Sequence, residues 1–210
     1  LKLLYTSSEN HVNFGVSKVV VSLNNEIKKK KIISKFSNEI FEFFRFRPNI
    51  IHINGCWKAR LVFFFIFSKI LGIKTIISPH GMMDPVSLKQ KSLKKKIALM
   101  IYQKFIFKNS DLIIVNSKIE KNNLLKAVKN ISKIIIIPHG IHIDKKFRIT
   151  ENKKDDIRFV FFSRIHKSKN LNTLVKLWRE NYYFKKYNLD IYGEIVDKNY
   201  FSELKIKNSK

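Results

Sequence analysis

The sequence predicts an α/β protein made of two Rossmann-like units, and two observations indicate this fold. Apolar runs of four to six residues alternate with longer segments of helical periodicity, a rhythm typical of βαβ units around a parallel sheet. The apolar runs show no polar alternation, as expected of strands that are covered on both faces.

The first unit is predicted to span residues 1–143. Ser117 and Glu120 have the spacing of a capping box, which fixes the start of its last helix. Between Leu23 and Phe36 the sequence leaves room only for a lysine-rich stretch. The predicted strands are residues 3–6, 50–53, 75–78, 112–115 and 134–137, and the predicted helices are residues 16–23, 39–46, 58–71, 88–108 and 118–126.

A second, incomplete unit is predicted over residues 157–210. Residues 144–156 are polar and charged without apolar periodicity, which is typical of an interdomain linker. A strand at 158–163, a helix at 171–182 and a strand at 189–192 then form an opening βαβ pattern. The tail that follows is too short to complete a doubly wound sheet.

Composition excludes several classes of protein. The 210 residues contain one cysteine, Cys56, so an internal disulfide and a multi-cysteine zinc site are excluded, and a reducing, cytoplasmic compartment fits. No run reaches the roughly 18 apolar residues of a spanning helix. The net charge of +26 has two interpretations, AT-biased codon use and an affinity for anionic membranes or phosphate-bearing ligands.

Loops beyond strand ends carry the candidate site residues of the first unit, because ligands bind there in open α/β sheets. Gly15 precedes a helix whose backbone N–H groups can meet an anion or a sugar hydroxyl, although an ordinary turn has the same pattern. His80 lies between Pro79 and Pro85, which stiffen the loop, and Gly81 opens space beside it. The alternative for His80 is a structural or solvated histidine.

Two further loops frame the predicted linker. His139, in a Pro-His-Gly pattern before the linker, is interpreted as a hinge or cleft-wall residue, while His52 and His142 are interpreted as structural. After the linker, Arg164 and Lys169 lie on a loop that opens a helix, and two cations at a helix N-terminus suit a diphosphate. The alternative is a solvated basic loop in a lysine-rich protein.

Taken in order, these loops resemble the family 4 glycosyltransferases, which are retaining enzymes of the GT-B fold. The similarity covers roughly three quarters of the chain, from about residue 50 onward. The matching segments are HGMMDP at 80–85, PHGI at 138–141, FFSRIHKSKN at 161–170 and DIYG at 190–193.

The resemblance implies a sugar transfer from a nucleotide-sugar donor to a glycan or lipid-linked acceptor in the synthesis of cell-surface polysaccharide or lipopolysaccharide. It implies that Arg164 and Lys169 bind the donor diphosphate and that His80, the catalytic candidate, lies near the transferred sugar. No metal or other cofactor is expected, because the cations stabilise the leaving group. The substrate-facing loops are those that contain Gly15, Gly81, Gly140 and Gly193.

One family motif, the glutamate pair E-x7-E that grips the donor, has no counterpart in the chain. Glu194 and Glu203 lie at the wrong place in the fold to replace it. The expectation is therefore a shortened copy of such an enzyme, and the alternative is an inactive remnant of one.

The predicted helix at 88–108 has an apolar side and a basic side. These side chains either belong to the core or lie on an anionic membrane at its inner face. Nucleic-acid binding is the remaining alternative, but the lysines are spread along the chain without a reading motif, so no nucleic acid is expected as a partner. The apolar residues are Leu93, Ile97, Met100, Ile101 and Phe105, and the basic ones are Lys91, Lys94, Lys95 and Lys96.

Overall fold

A computed structural model describes residues 1–9, 15–89, 92–131, 133–140 and 157–206. The chain divides into two units between residues 142 and 143. The predicted linker, residues 144–156, lies outside the described residues, as do His142 and Lys91, and the predicted domain bounds therefore stay a prediction.

In the described part of the first unit, six parallel strands form one sheet in the order β2-β1-β3-β4-β5-β6. The isoleucine-rich central strands are buried on both faces, which explains why their apolar runs lack alternation. The predicted Rossmann-like α/β class is confirmed. The strands are β1 Lys2–Ser7, β2 Ile33–Phe36, β3 Ile50–Asn54, β4 Lys74–Ser78, β5 Leu112–Val115 and β6 Ile134–Ile136.

The prediction that only a lysine-rich stretch lies between Leu23 and Phe36 is wrong. The first helix continues to Lys29, and β2 pairs with β1 in the register Lys2 to Ile33. β2 is an edge strand and pairs only with β1, so it is less enclosed than the central strands. Its short Ile-Ser-Lys-Phe segment therefore lacks their continuous apolar run.

Helices connect the successive parallel strands, because a parallel pair needs a crossover connection. Their apolar faces supply the core over the sheet, in which Phe43, Phe64, Phe65 and Phe107 are among the largest fully buried side chains. Ser117 accepts a hydrogen bond from the Glu120 backbone N–H at 3.1 Å, as the capping box predicts. The helices here are α1 Gly15–Lys29, α2 Ile40–Phe46, α3 Ala59–Ile70, α4 Pro85–Lys89, α5 Ser92–Ala98, α6 Lys104–Asn109 and α7 Lys118–Ala127.

The single helix predicted over residues 88–108 is wrong in detail. Between α5 and α6 lies a π-helix, Leu99–Gln103, a wide turn that is often found near functional sites. Gln103 at the end of the π-helix is buried, and so are Ile106 and Phe107 in α6.

The second unit begins with a βαβ motif, as predicted. β7 and β8 are parallel, with Arg158 opposite Asn188, and α8 connects them together with α9. Gly193 ends β8 in close contact with the neighbouring loop, since a Cβ there would lie 1.7 Å from the Ser163 carbonyl oxygen. The elements are β7 Arg158–Phe162, a 3₁₀ helix Lys167–Lys169, α8 Leu171–Glu180, α9 Tyr182–Lys185, β8 Asn188–Tyr192 and α10 Lys198–Glu203.

None of the helices in these described ranges combines the length and the apolar character that crossing a bilayer requires.

Candidate functional site

The strand order of the first unit changes direction between β1 and β3, and ligands of open α/β sheets bind beyond the carboxyl ends at such a point. The loops after β1 and β3 meet closely there. Gly55 has a φ of +94°, and a Cβ on it would lie 2.1 Å from the Ser8 Oγ. Only glycine fits this contact. No local sequence pattern marks Gly55, because the need for glycine there comes from a loop that is distant in sequence.

The loop after β1 directs a carboxylate at the start of α1. Glu9 Oε2 accepts a hydrogen bond from the Ser17 backbone N–H at 2.8 Å, in the first turn of the helix, where negative charge is stabilised. Gly15 begins α1, and no atom lies within 4 Å of a Cβ built on it. The protein's own carboxylate thus uses one of the N–H groups predicted for a ligand, and the role of Gly15 stays a prediction.

His80 lies beyond the end of β4, partly buried, with a φ of 51° in the left-handed region. Its Nε2 is 2.9 Å from Asn54 Oδ1, at the end of β3, and its Nδ1 is 3.2 Å from His139 Nε2. The two imidazole rings are stacked, with centroids 5.1 Å apart. The structure therefore brings together the two Pro-His-Gly patterns of the sequence, and Asn54 joins them.

The hydrogen bonds of Asn54 fix the tautomer of His80. Asn54 Nδ2 donates to the backbone carbonyls of Thr6 and His52, at 3.1 and 3.0 Å. Its Oδ1 must therefore accept, so that His80 carries its proton on Nε2 and keeps a lone pair on Nδ1. The lone pair on His80 Nδ1 faces the side chain of His139, which is exposed.

Burial, and secondarily the charge of His139, lowers the pKa of His80 to about 4. Burial also lowers the pKa of His52 to about 3, with His80 as a second cause. His80 is therefore a neutral hydrogen-bonding group at neutral pH. His52 is buried, and its Nε2 lies 2.8 Å from Ser78 Oγ, which agrees with the predicted structural role.

Two neighbouring segments hold the loop that carries His80. Glu120, buried in α7, accepts hydrogen bonds from the backbone N–H groups of Gly81 at 2.6 Å and Asn116 at 2.7 Å. Asn123 Nδ2 donates to Asp84 at 2.8 Å, and the Cys56 backbone N–H contacts the Met82 sulfur at 3.2 Å. The loop is thus fixed by α7 and by the loop after β3.

Trp57 borders the same end of the sheet, with a φ of 73°. Tyr102 in the π-helix donates to the Trp57 carbonyl at 2.9 Å, and Gln103 accepts from the Trp57 backbone N–H at 3.4 Å. The indole Nε1 of Trp57 and the Ser8 Oγ are buried and make no hydrogen bond within the described residues. Both polar atoms are enclosed by the surrounding loops, so a ligand hydroxyl reaches neither of them in this conformation.

Arg164 and Lys169 both lie on the segment between β7 and α8, and both are exposed. Neither lines the cavity of about 450 Å³ in this unit, which lies beside β8 and includes Asp190 and Gly193. The segment has the predicted position, beyond the carboxyl end of a strand and before a helix. The predicted diphosphate contact stays a prediction, as do the roles of the loops at Gly140 and Gly193.

Within the described residues, no three His, Cys, Asp or Glu side chains form a group suited to a metal ion. Cys56 is buried, and burial raises the pKa of its thiol above the ordinary range. Cys56 is therefore a packing residue next to the Met82 sulfur.

The model of Glycosyltransferase Family 4 matches residues 7–145, which is more than half of the chain and includes every strand end of the first unit. The chain belongs to Glycosyltransferase Family 4. This family 4 chain is also 28% identical, over 155 residues, to an uncharacterized glycosyltransferase of Methanocaldococcus jannaschii. The match covers 69% of the chain and spans 39% of the length of that relative.

The resemblance predicted from the sequence is thus confirmed for the family. The family 4 match contains Asn54, His80, Glu120 and His139, the residues that the fold brings to one end of the sheet. Arg164 lies beyond the matched residues.

Proposed function

We propose that this chain takes part in the transfer of a sugar from a nucleotide-sugar donor to a hydroxyl of a glycan or lipid-linked acceptor. The observation that carries the proposal is His80, a partly buried histidine with a neutral side chain and a fixed tautomer, at the ligand-binding end of a family 4 sheet. A purely structural histidine has no need of a lone pair that faces an exposed side chain. The lone pair on His80 Nδ1 faces the exposed His139.

In the proposed reaction, the acceptor oxygen forms a bond to the anomeric carbon of the sugar, and the bond from that carbon to the diphosphate oxygen breaks. The hydroxyl proton passes to the departing diphosphate, and the configuration of the sugar is retained. His80 Nδ1 accepts a hydrogen bond from a hydroxyl of the transferred sugar and holds it in position. A fixed neutral acceptor suits this task, since it needs no reorganisation during the reaction.

On the donor side, Arg164 and Lys169 bind the diphosphate and stabilise its negative charge as it leaves. Both side chains are exposed, and they lie on the segment that opens α8. Guanidinium and ammonium groups form charge-assisted hydrogen bonds to phosphate, which are stronger than neutral ones. No cofactor is required in this scheme.

On the acceptor side, the loops after β1 and β3 meet at the switch point, the position at which open α/β sheets bind ligands, and a glycan acceptor binds there in this proposal. The acceptor belongs to cell-surface polysaccharide or lipopolysaccharide synthesis in this proposal, with the protein in the cytoplasm.

The first test measures the affinity of the chain for nucleoside diphosphates by titration calorimetry. We expect the double variant Arg164→Ala/Lys169→Ala to lose at least about tenfold in affinity, because each charge-assisted hydrogen bond contributes about 1.5–3 kcal/mol. Lys176→Ala is the matched control, since Lys176 is an equally exposed cation on the outside of α8.

Equal affinities for the double variant, the control and the unchanged chain contradict the proposed donor site. A loss of affinity in the control as large as in the double variant also contradicts it, because general charge is then the cause. The chain's thermal unfolding is measured alongside, so that a folding defect is recognised.

A further inference from the structure

The segment from α5 to α6 exposes an apolar face, of which the Phe105 ring also touches the buried Phe65 ring at a centroid distance of 6.1 Å. Its five large apolar side chains have exposed fractions between 48% and 74%, which contradicts the interpretation of this stripe as a core face. Buried apolar area of this size normally stabilises a fold, so its exposure needs a partner. The five residues are Leu93, Ile97, Met100, Ile101 and Phe105.

The same segment already has a separate core face. Gln103, Ile106 and Phe107 are buried, and Leu99 and Tyr102 pack against the core. The exposed face is therefore an addition to the packing of the first unit.

Charge determines what suits this face. Lysines flank the apolar side chains at exposed positions, and the sequence contains no Asp or Glu from residue 85 to residue 110. Lys95 is different, because it donates to the Ser87 carbonyl and lies over the Trp57 ring. The flanking lysines are Lys94, Lys96, Lys104 and Lys108.

We propose that the apolar face of α5, the π-helix and α6, together with its flanking lysines, docks on an anionic lipid bilayer. The apolar side chains enter the boundary between headgroups and acyl chains, and the lysines contact the lipid phosphates. A second copy of the chain is a poor occupant, because two such faces carry the same positive charge. This proposal goes beyond the transfer reaction, since lipid binding needs no donor.

The position of the face fits a lipid-linked acceptor. Tyr102 and Gln103 belong to the same helical segment and contact the backbone of Trp57 at the end of β3. A bilayer on the outer side of the segment therefore lies one helix away from the proposed acceptor site.

The test measures binding of the chain to vesicles of phosphatidylcholine, with and without phosphatidylglycerol, by co-sedimentation. We expect binding only to the anionic vesicles. Met100→Ser/Ile101→Ser is expected to weaken it about tenfold or more, since two large apolar side chains no longer enter the bilayer. Lys94→Ser/Lys96→Ser is expected to weaken it roughly fivefold for each lysine.

Two matched controls separate docking from general charge. Lys28→Ser/Lys30→Ser removes the same charge from the end of α1, and Ile33→Ser removes an exposed isoleucine from β2 at the opposite edge of the sheet from β6. Both are expected to bind as the unchanged chain does.

Equal losses in both lysine variants, with no loss in Met100→Ser/Ile101→Ser, overturn the proposal, because non-specific attraction then explains the binding. Self-association in light scattering that only the Met100/Ile101 variant abolishes overturns it in favour of a second copy. Nucleoside diphosphate affinity is measured on the same variants and is expected to stay unchanged, so failure of docking and failure of the proposed donor site are distinguishable.

Discussion

At the scale of single residues, Asn54 decides what His80 can do. Its amide nitrogen is committed to two backbone carbonyls, so its oxygen faces His80 as an acceptor. The orientation of the Asn54 side-chain amide thus determines which nitrogen of the His80 imidazole is protonated. Nothing in the local sequence around Asn54 indicates this role, because two of its three partners come from β1 and from the loop after β4.

Replacing Asn54 with alanine is expected to release the tautomer of His80. The Nε2–H form loses a hydrogen bond that contributes about 1 kcal/mol, so the ratio of the two tautomers changes roughly fivefold. The ¹⁵N chemical shifts of the imidazole report this ratio. Asn38→Ala is the control, since Asn38 bonds Thr6 and Ser7 at the same end of the sheet without contacting His80. An Nδ1–H form in the unchanged protein contradicts the assignment.

At the scale of elements, one carboxylate in α7 joins two loops. Glu120 reaches back from the first turn of its helix, accepts from Asn116 before the cap, and also accepts from Gly81 in the loop after β4. The capping box of the sequence predicts the local hydrogen bond from Glu120 to Ser117. It does not predict the contact with Gly81, because that depends on the pairing of β4 with β5.

The variant Glu120→Ala is expected to lower the free energy of unfolding by about 3 kcal/mol, because two partly buried backbone N–H groups lose a charged acceptor. It is also expected to speed hydrogen exchange at the Gly81 amide. Ser117→Ala, which removes only the helix cap, is expected to cost about 1 kcal/mol and to leave Gly81 protected. Unchanged exchange at Gly81 in Glu120→Ala contradicts the proposed bridge.

Sequence patterns predicted the elements whose signals are local. The central strands appear as apolar runs, and the start of α7 follows from Ser117 and Glu120. β2 was missed because an edge strand lacks such a run, and the π-helix was missed because a wide turn keeps an amphipathic pattern. Gly55 and Asn54 act through contacts with distant segments, so no local pattern identifies them.

At the scale of the whole molecule, two neutral histidines make stability depend on pH. His52 and His80 have folded pKa values of about 3 and about 4, against an ordinary value of 6.5. As the pH falls below about 6.5, the unfolded chain takes up protons that the folded chain does not. The stability is therefore complete above pH 6.5 and is lost progressively towards pH 4.

We expect the free energy of unfolding to fall by up to about 1.4 kcal/mol per pH unit for each of the two histidines in this range. Urea unfolding between pH 7 and pH 4.5 measures the slope. His52→Gln is expected to remove one of the two contributions. An unchanged slope in that variant contradicts the assignment of His52 as a buried neutral group.

Between pH 7 and pH 4.5, the change in stability comes from the histidines without a contribution from Asp111. Burial alone acts to raise the pKa of Asp111, but hydrogen bonds from Lys69, Thr75 and Lys74 outweigh it and hold the pKa well below its usual range. The stabilisation from this lowered carboxyl pKa is present above about pH 4 and is lost only at lower pH.

The π-helix between α5 and α6 sets the rotational phase of everything before it. One residue of an α-helix turns the chain by about 100° around the axis. If the same residues formed an ordinary α-helix, the eight steps from Ile97 to Phe105 would leave these two side chains about 80° apart around the axis, and Leu93 would lie still further from Phe105. The wide turn takes up one surplus residue, so the exposed apolar side chains before and after it stay in one line.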